Sequence, residues 1–307
     1  MKIEIKDNIG ERVDIWLSEK TSYSRSQIKP LIINGNITIN NNQISPSYKV
    51  RTGDIAVITE TTEEKKVLIP QNIPLDIIYE DENMVVINKQ AGIVVHPAPG
   101  HPDNTIVNAV MFHCNNFNVN DFEEPLRPGV VHRLDKNTSG ILVVAKNKEV
   151  LDCLKKQFKD RTPRKEYLAL VKGVVSPSTG RIETLIGRSK PDRKKMSTNP
   201  ISGARQAITN YKLEEQYEHS ALVRFHIETG RTHQIRVHAA SIGYPILGDS
   251  VYGHKNTILH HHQIPRQMLH AAYLELNHPF NNHRINFTAD LPMDMVEVIK
   301  IVKASNG

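Results

Sequence analysis

Asp135 sits where a carboxylate could do covalent or acid–base work. It lies in the polar loop His132-Arg133-Leu134-Asp135-Lys136-Asn137-Thr138-Ser139-Gly140, between a strand-like 129–131 and the apolar run 141–145. The β-branched content of that run and its leading Gly140 suit a buried strand. Catalytic groups belong on loops held by rigid elements, and this loop has one on each side. Two other residues could serve the carboxylate. Arg231 precedes a helix expected from the spacing of Ile235, Ala239 and Ile242 and closed by Gly243. Tyr167 lies on an alternating strand, 165–173, whose one side carries Lys165, Tyr167, Ala169 and Val171. Together with the basic loop 187–196, these groups suggest carboxylate chemistry on an anionic substrate. Ordinary glycoside hydrolysis uses two carboxylates, one as acid for the leaving group. The sequence nominates only one.

The elements that must position these groups are readable from periodicity. Strands are expected at 75–80 and 84–89, joined by Asp81-Glu82-Asn83, and two long ones at 206–217 and 221–228. A helix over 104–114 has Asn104 as its candidate cap. A second, capped by Asn147, buries Val150, Leu151, Leu154 and Phe158 and carries lysines near its C-terminal end. A helix over 292–304 ends the chain, with Met295, Val296, Ile299 and Val302 on one face.

Residues 1–60 form a separate pattern: a short helix carrying Val13, Trp16 and Leu17, a second helix ending at Asn34-Gly35, a strand at 37–40, and a turn followed by another strand within 50–58. Ser24 or Ser26 could cap the second helix. Pro30 is tolerable only in a first turn, which favours Ser26 or a neighbour. Residues 59–71 are polar, charged and Pro-ended, and read as a linker. The domain expectation is 1–60, a linker over 61–73, and a large domain over 74–307.

With 307 residues the chain has room for about two domains. No window approaches the roughly 18 apolar residues needed to cross a bilayer, and no apolar leader follows Met1. Two cysteines suggest a reducing compartment, hence a cytosolic protein. The net charge of +6 favours a polyanionic partner, and residues 161–195 concentrate it, with ten Lys/Arg against three Asp/Glu. Fifteen histidines invite a zinc reading, but no H-E-x-x-H or paired C-x-x-C spacing supports one, so no metal is expected. Gly-rich nucleotide loops are missing as well, and no cofactor is expected.

The run HRLDKNTSGILVVAK resembles the signature loop of the RluA/RluD-type RNA pseudouridine synthases. So do the block D-E-N-x-x-V-x-N-K-x-A-G-x-V-V-H-P from Asp81, K-x-Y-x-A-x-V-x-G from Lys165, and G-R-T-H-Q-I-R-V-H from Gly230. Gln90 departs from the usual Pro, a change expected to alter loop stiffness. Residues 1–60 are similar to the S4 RNA-binding domain, through R-x-D-x-W-L, S-R-S-Q-I-x-x-L-I-x-x-G-x-I-x-x-N and V-x-x-G-D.

The resemblance implies an α+β fold, with a mixed, largely antiparallel sheet flanked by helices and a small N-terminal S4 domain. It implies isomerisation of uridine to pseudouridine, with Asp135 catalytic, either attacking C1′ or removing the ribose 2′ proton. Arg231 would pair with Asp135, and Tyr167 would stack on the uracil. RNA contacts are expected from Ser24, Arg25, Ser26, Gln27 and Lys29, from His132 and Arg133, and from Arg188, Arg193 and Lys194. The substrate implied is large-subunit (23S-type) ribosomal RNA, with transfer RNA as the alternative, and the enzyme is expected to act as a monomer. A non-catalytic RNA-binding protein of this fold, and a hydrolase that releases free uracil, are the competing functions.

Overall fold

The computed structural model describes residues 1–59, 67–190, 192, 195–199, 203–253, 258–259 and 262–304. The chain divides into two compact units, Met1–Val67 and Leu68–Gly307. Among the described residues, no helix is long and apolar enough to cross a membrane.

The first unit contains β1 (Lys2–Glu4), α1 (Val13–Lys20), α2 (Arg25–Ile33), β2 (Ile37–Ile39), β3 (Asn42–Gln43) and β4 (Ile55–Ile58). Its strands form an antiparallel sheet in the order β1-β4-β2-β3. Trp16, Leu17, Ile28, Ile32 and Ile37 are buried between sheet and helices. Helix α2 starts earlier than Pro30 suggested. Ser24 caps it, because Gln27 Oε1 accepts the Ser24 backbone N–H at 2.8 Å in a reciprocal capping box. Pro30 lies inside the helix, which forgoes one helical hydrogen bond there.

The second unit contains β5 (Ile77–Glu80), β6 (Met84–Lys89), α3 (Ile106–His113), β7 (Ser139–Ala145), α4 (Lys148–Asp160), β8 (Arg164–Lys172), β9 (Thr179–Arg188), β10 (Met196–Ser197), β11 (Arg205–Gln216), β12 (Ser220–Ile227), α5 (Gln234–Ser241), β13 (Ile258–Leu259), β14 (His262–Gln263), β15 (Leu269–Asn277), β16 (Arg284–Thr288) and α6 (Met293–Ala304). Ten of the strands make one sheet, ordered β10-β9-β11-β12-β8-β15-β7-β6-β5, with β16 also on β15. Every pairing in it is antiparallel except β15 with β7. The α+β expectation therefore holds. Strand β7 is buried along its whole length, as its apolar run requires, and α4 covers it with Asn147 Oδ1 accepting the Val150 N–H at 2.9 Å.

Two local expectations are corrected. Thr105, not Asn104, caps α3: its hydroxyl and the Asn108 amide bond reciprocally, while Asn104 takes a left-handed conformation just outside. Residues 68–73, expected within the linker, belong to the second unit. Leu68 is buried, Asn108 donates to Ile69 O at 2.8 Å, and Gln71 N–H donates to Asn108 O at 3.0 Å. The Asn108 side chain and carbonyl of α3 thus satisfy the backbone of this segment. Of the remaining linker residues, 61–66 lie outside the described residues.

Candidate active site

The parallel junction aligns the loop of Asp135 with Tyr167. Gly140, just past the loop, pairs with Ala271 on β15, and Ala271 pairs on its other side with Tyr167 of β8. Gly140 has φ +110, and a Cβ there would stand 2.2 Å from Ala271 O, so only glycine permits this approach. Two buried cations then pin the loop. Lys89 Nζ, on a residue 1% exposed, donates to Gln90 O and Ile93 O at 2.9 Å and to Lys136 O at 3.1 Å. Arg266 donates to Asn137 O at 3.1 Å while its fork grips Asp294. Burial and the charge of Arg266 pull the Lys89 pKa down to about 7, but three carbonyls need the three N–H groups of an ammonium. Lys89→Met would orphan those carbonyls at about 1–3 kcal/mol each, partly offset by removal of a buried charge. Urea unfolding should show a net loss of roughly 2–4 kcal/mol; parental stability would mean other contacts hold the loop.

Arg236, in the first turn of α5, holds the carboxylate: its Nη1 donates to Asp135 Oδ2 at 2.9 Å. The expected partner, Arg231, does not take this role. It lies three residues before α5, and its Nε donates at 2.9 Å to Gln206 O on β11. His233, at the N-cap in a left-handed conformation (φ +56), turns the chain between the two arginines. The other edge of Arg236 meets Asp249, Nε to Oδ2 at 2.7 Å and Nη2 to Oδ1 at 2.9 Å. Asp249 is 0% exposed and also accepts the Val251 and Tyr252 N–H groups. Burial works against both charges, yet their pairing holds the guanidinium above and the Asp249 carboxyl below their ordinary values. Tyr252 packs on the guanidinium, 5.1 Å from ring centroid to Cζ, and its hydroxyl meets His233 Nδ1 at 2.8 Å. Arg236, Asp249 and Tyr252 were missed as site residues. The Arg236 signal was the second arginine of G-R-T-H-Q-I-R-V-H.

Asp135 Oδ1 has no hydrogen-bond partner among the described residues, and the side chain is 23% exposed. It opens on a hollow of about 60 Å³ walled by Tyr167, Ile227, Leu269 and His233. This hollow runs into a cleft of about 510 Å³ lined also by Arg133, Phe158, Arg161 and Lys165. The Tyr167 hydroxyl lacks a protein partner among the described residues, and burial beside Asp135 raises its pKa, so it stays a phenol. His233 Nε2 lies 3.8 Å from Asp135 Oδ2, and burial lowers its pKa, keeping it neutral. A neutral histidine leaves Arg236 as the ionic partner. Burial and Arg161 lower the Lys165 pKa to about 8.

The residues expected to touch RNA divide by location. Arg133 is exposed at the cleft, and His132 lines it too, with its Nε2 accepting the Val143 N–H at 3.1 Å and its ring stacked on Phe158. Arg188 lines a separate hollow of about 770 Å³ with Lys190 and Arg205, which also reaches Arg231. Arg193 and Lys194 lie outside the described residues. On α2, Arg25, Ser26 and Lys29 line one surface hollow, although Arg25 Nε is bound to Asp14 at 3.0 Å. Ser24 and Gln27 bond each other in the cap instead. Glu80, His113 and Cys114 cluster with metal-like spacing, but Lys146 Nζ already holds Glu80 at 2.6 Å and burial raises the Cys114 pKa, both against a metal.

Helix α5 is tied to the sheet through buried His238, whose Nδ1 meets Thr209 Oγ1 at 2.8 Å and Nε2 meets Thr184 Oγ1 at 3.0 Å. Burial depresses its pKa from 6.5 to about 4. Between those values the unfolded chain binds a proton that the folded chain refuses, so stability falls as pH drops through the window, by about 1.4 kcal/mol per unit. Unfolding free energies measured from pH 6.5 to 4 should lose about one proton of slope in His238→Gln; an unchanged slope would contradict the assignment.

A sequence model of the family described as RNA pseudouridylate synthase matches residues 83–241, and one of the S4 domain matches residues 11–55. An uncharacterised RNA pseudouridine synthase of Bacillus subtilis is 39% identical over 97% of this chain and 96% of its own length. A protein of Zymomonas mobilis named ribosomal large subunit pseudouridine synthase D is 37% identical over 98% of this chain and 96% of its own. Among solved structures, human RNA pseudouridylate synthase domain containing 4 superposes with a TM-score of 0.58 at 28% identity, covering 74% of this chain and 93% of that one.

Proposed function

The chain belongs to the RNA pseudouridylate synthase family, and from that membership we propose that it converts uridines of large-subunit ribosomal RNA to pseudouridine, with Asp135 as the carboxylate acting at the ribose. One observation carries the assignment of Asp135. Its Oδ2 is held by Arg236, Oδ1 has no bond among the described residues, and the residue lines the hollow walled by Tyr167. A carboxylate fixed on one oxygen and open on the other is placed to react without swinging.

The reaction breaks N1–C1′ and joins C5 to C1′. The C5 proton leaves and N1 regains one, so composition and oxidation level are unchanged. Asp135 acts at the sugar, as nucleophile at C1′ or as base toward the 2′ proton. Tyr167 offers a ring face to the detached uracil and a free phenol O–H to its polar edge. The hollow shares Asp135 and Tyr167 with the cleft, and a uridine that reaches Asp135 must leave its stack. Arg133 lines both.

The ribosomal substrate is supported by the S4 module and by the relatives' names. Mapping pseudouridine in ribosomal and transfer RNA from cells with and without this gene tests it. The expected loss is confined to large-subunit RNA. Loss in transfer RNA, or none, would contradict it.

A further inference from the structure

Lys165 is a buried cation without an anion. The residue is 8% exposed, and its ammonium lies over the Phe158 ring, 5.6 Å from the centroid. Among the described residues it has no hydrogen-bond or carboxylate partner, and its charged neighbour Arg161 has the same sign. Buried charges in folded proteins are ordinarily paired, because an unpaired one weakens the fold. A residue that breaks this rule in a cleft is expected to find its partner in a ligand.

The amine is not sealed off: Lys165 lines the 510 Å³ cleft that also exposes Asp135. It shares a face of β8 with Tyr167 two residues on, a strand rise of roughly 6–7 Å. That span separates a nucleoside from its own backbone phosphate. The ligand must also be an anion, since Arg133, Lys159, Arg161 and Arg231 line the same cleft. Glu228, an acid at its wall, is already held by Arg181 and Asn210.

We propose that Lys165 seats a backbone phosphate of the RNA beside the uridine in the hollow. The inference rests on the function proposed above and specifies how that site grips its substrate. A base carbonyl offers only a dipole and would leave the buried charge uncompensated. The seat also accounts for a lysine kept where an apolar side chain would pack at lower cost.

Lys165→Met and Lys165→Arg test it in the full chain, with a large-subunit RNA fragment as substrate. Lys165→Met should raise KM about tenfold or more, with a smaller change in kcat, and flatten the salt slope of log kcat/KM by about 0.7–0.9. Its Tm should equal or exceed the parent's, because a lone buried charge has gone. Lys165→Arg should keep the parental salt slope. Parental KM and slope in Lys165→Met would overturn the proposal. A raised KM with unchanged slope would overturn it in favour of a base contact, and a lowered Tm would show a structural role instead. Should the parent form no pseudouridine, the functional reading fails by itself. Direct binding of the same RNA by Asp135→Asn with and without Lys165→Met then decides the phosphate seat.

Discussion

Asp135→Asn is expected to reduce pseudouridine formation by roughly 10⁴-fold or more, the scale seen when a reacting side chain is removed from a preorganised site. The amide keeps the shape of the carboxylate, so the loss isolates charge and nucleophilicity from packing. Stability should change little, because Arg236 keeps its two bonds to Asp249. RNA affinity should also survive, since the cleft cations and the N-terminal unit are untouched. Single-turnover rates with filter binding on one RNA separate these effects. Turnover within tenfold of the parent, or RNA binding lost in step with it, would refute the assignment.

The second large effect distinguishes two arginines. Arg236→Lys keeps a positive charge but loses the fork that spans Asp135 and Asp249. One ammonium cannot satisfy both acids, so Asp135 is freed to move by about an ångström, a displacement worth roughly 100-fold in rate. Buried Asp249 is left under-paired, and stability should fall by about 2–4 kcal/mol. Arg231→Lys lies outside that network and should act on KM, because Arg231 faces both hollows and the basic surface. Paired kcat and KM measurements on the two variants decide the matter. A kcat collapse in Arg231→Lys with a near-parental Arg236→Lys would restore Arg231 as the partner of Asp135.

Local signals in the chain carried much of this picture. The alternation in 165–173 placed Tyr167 and Lys165 on one face, and Asn147 marked the start of α4. The apolar run after Gly140 became the fully buried β7. What escaped depends on distant pairing. The junction of Ser139 and Gly140 with His270 and Ala271 spans some 130 residues and leaves no local trace. Nor did spacing alone choose between Arg231 and Arg236. The choice turns on His233 adopting a left-handed conformation, which sets the phase of α5. Lys89 closes the strand expected at 84–89, yet its ammonium clamps the loop of Asp135. Pro30 misled because it lies inside α2, five residues past its start, and not in the first turn.

Tritium release from RNA labelled at C5 of uridine tests the central claim most directly, because forming the C5–C1′ bond must expel that hydrogen to water. The parent and Arg231→Lys should release label at saturating RNA, Arg236→Lys about 100-fold more slowly, and Asp135→Asn none above background. Release by Asp135→Asn at the parental rate would mean that another group does the chemistry.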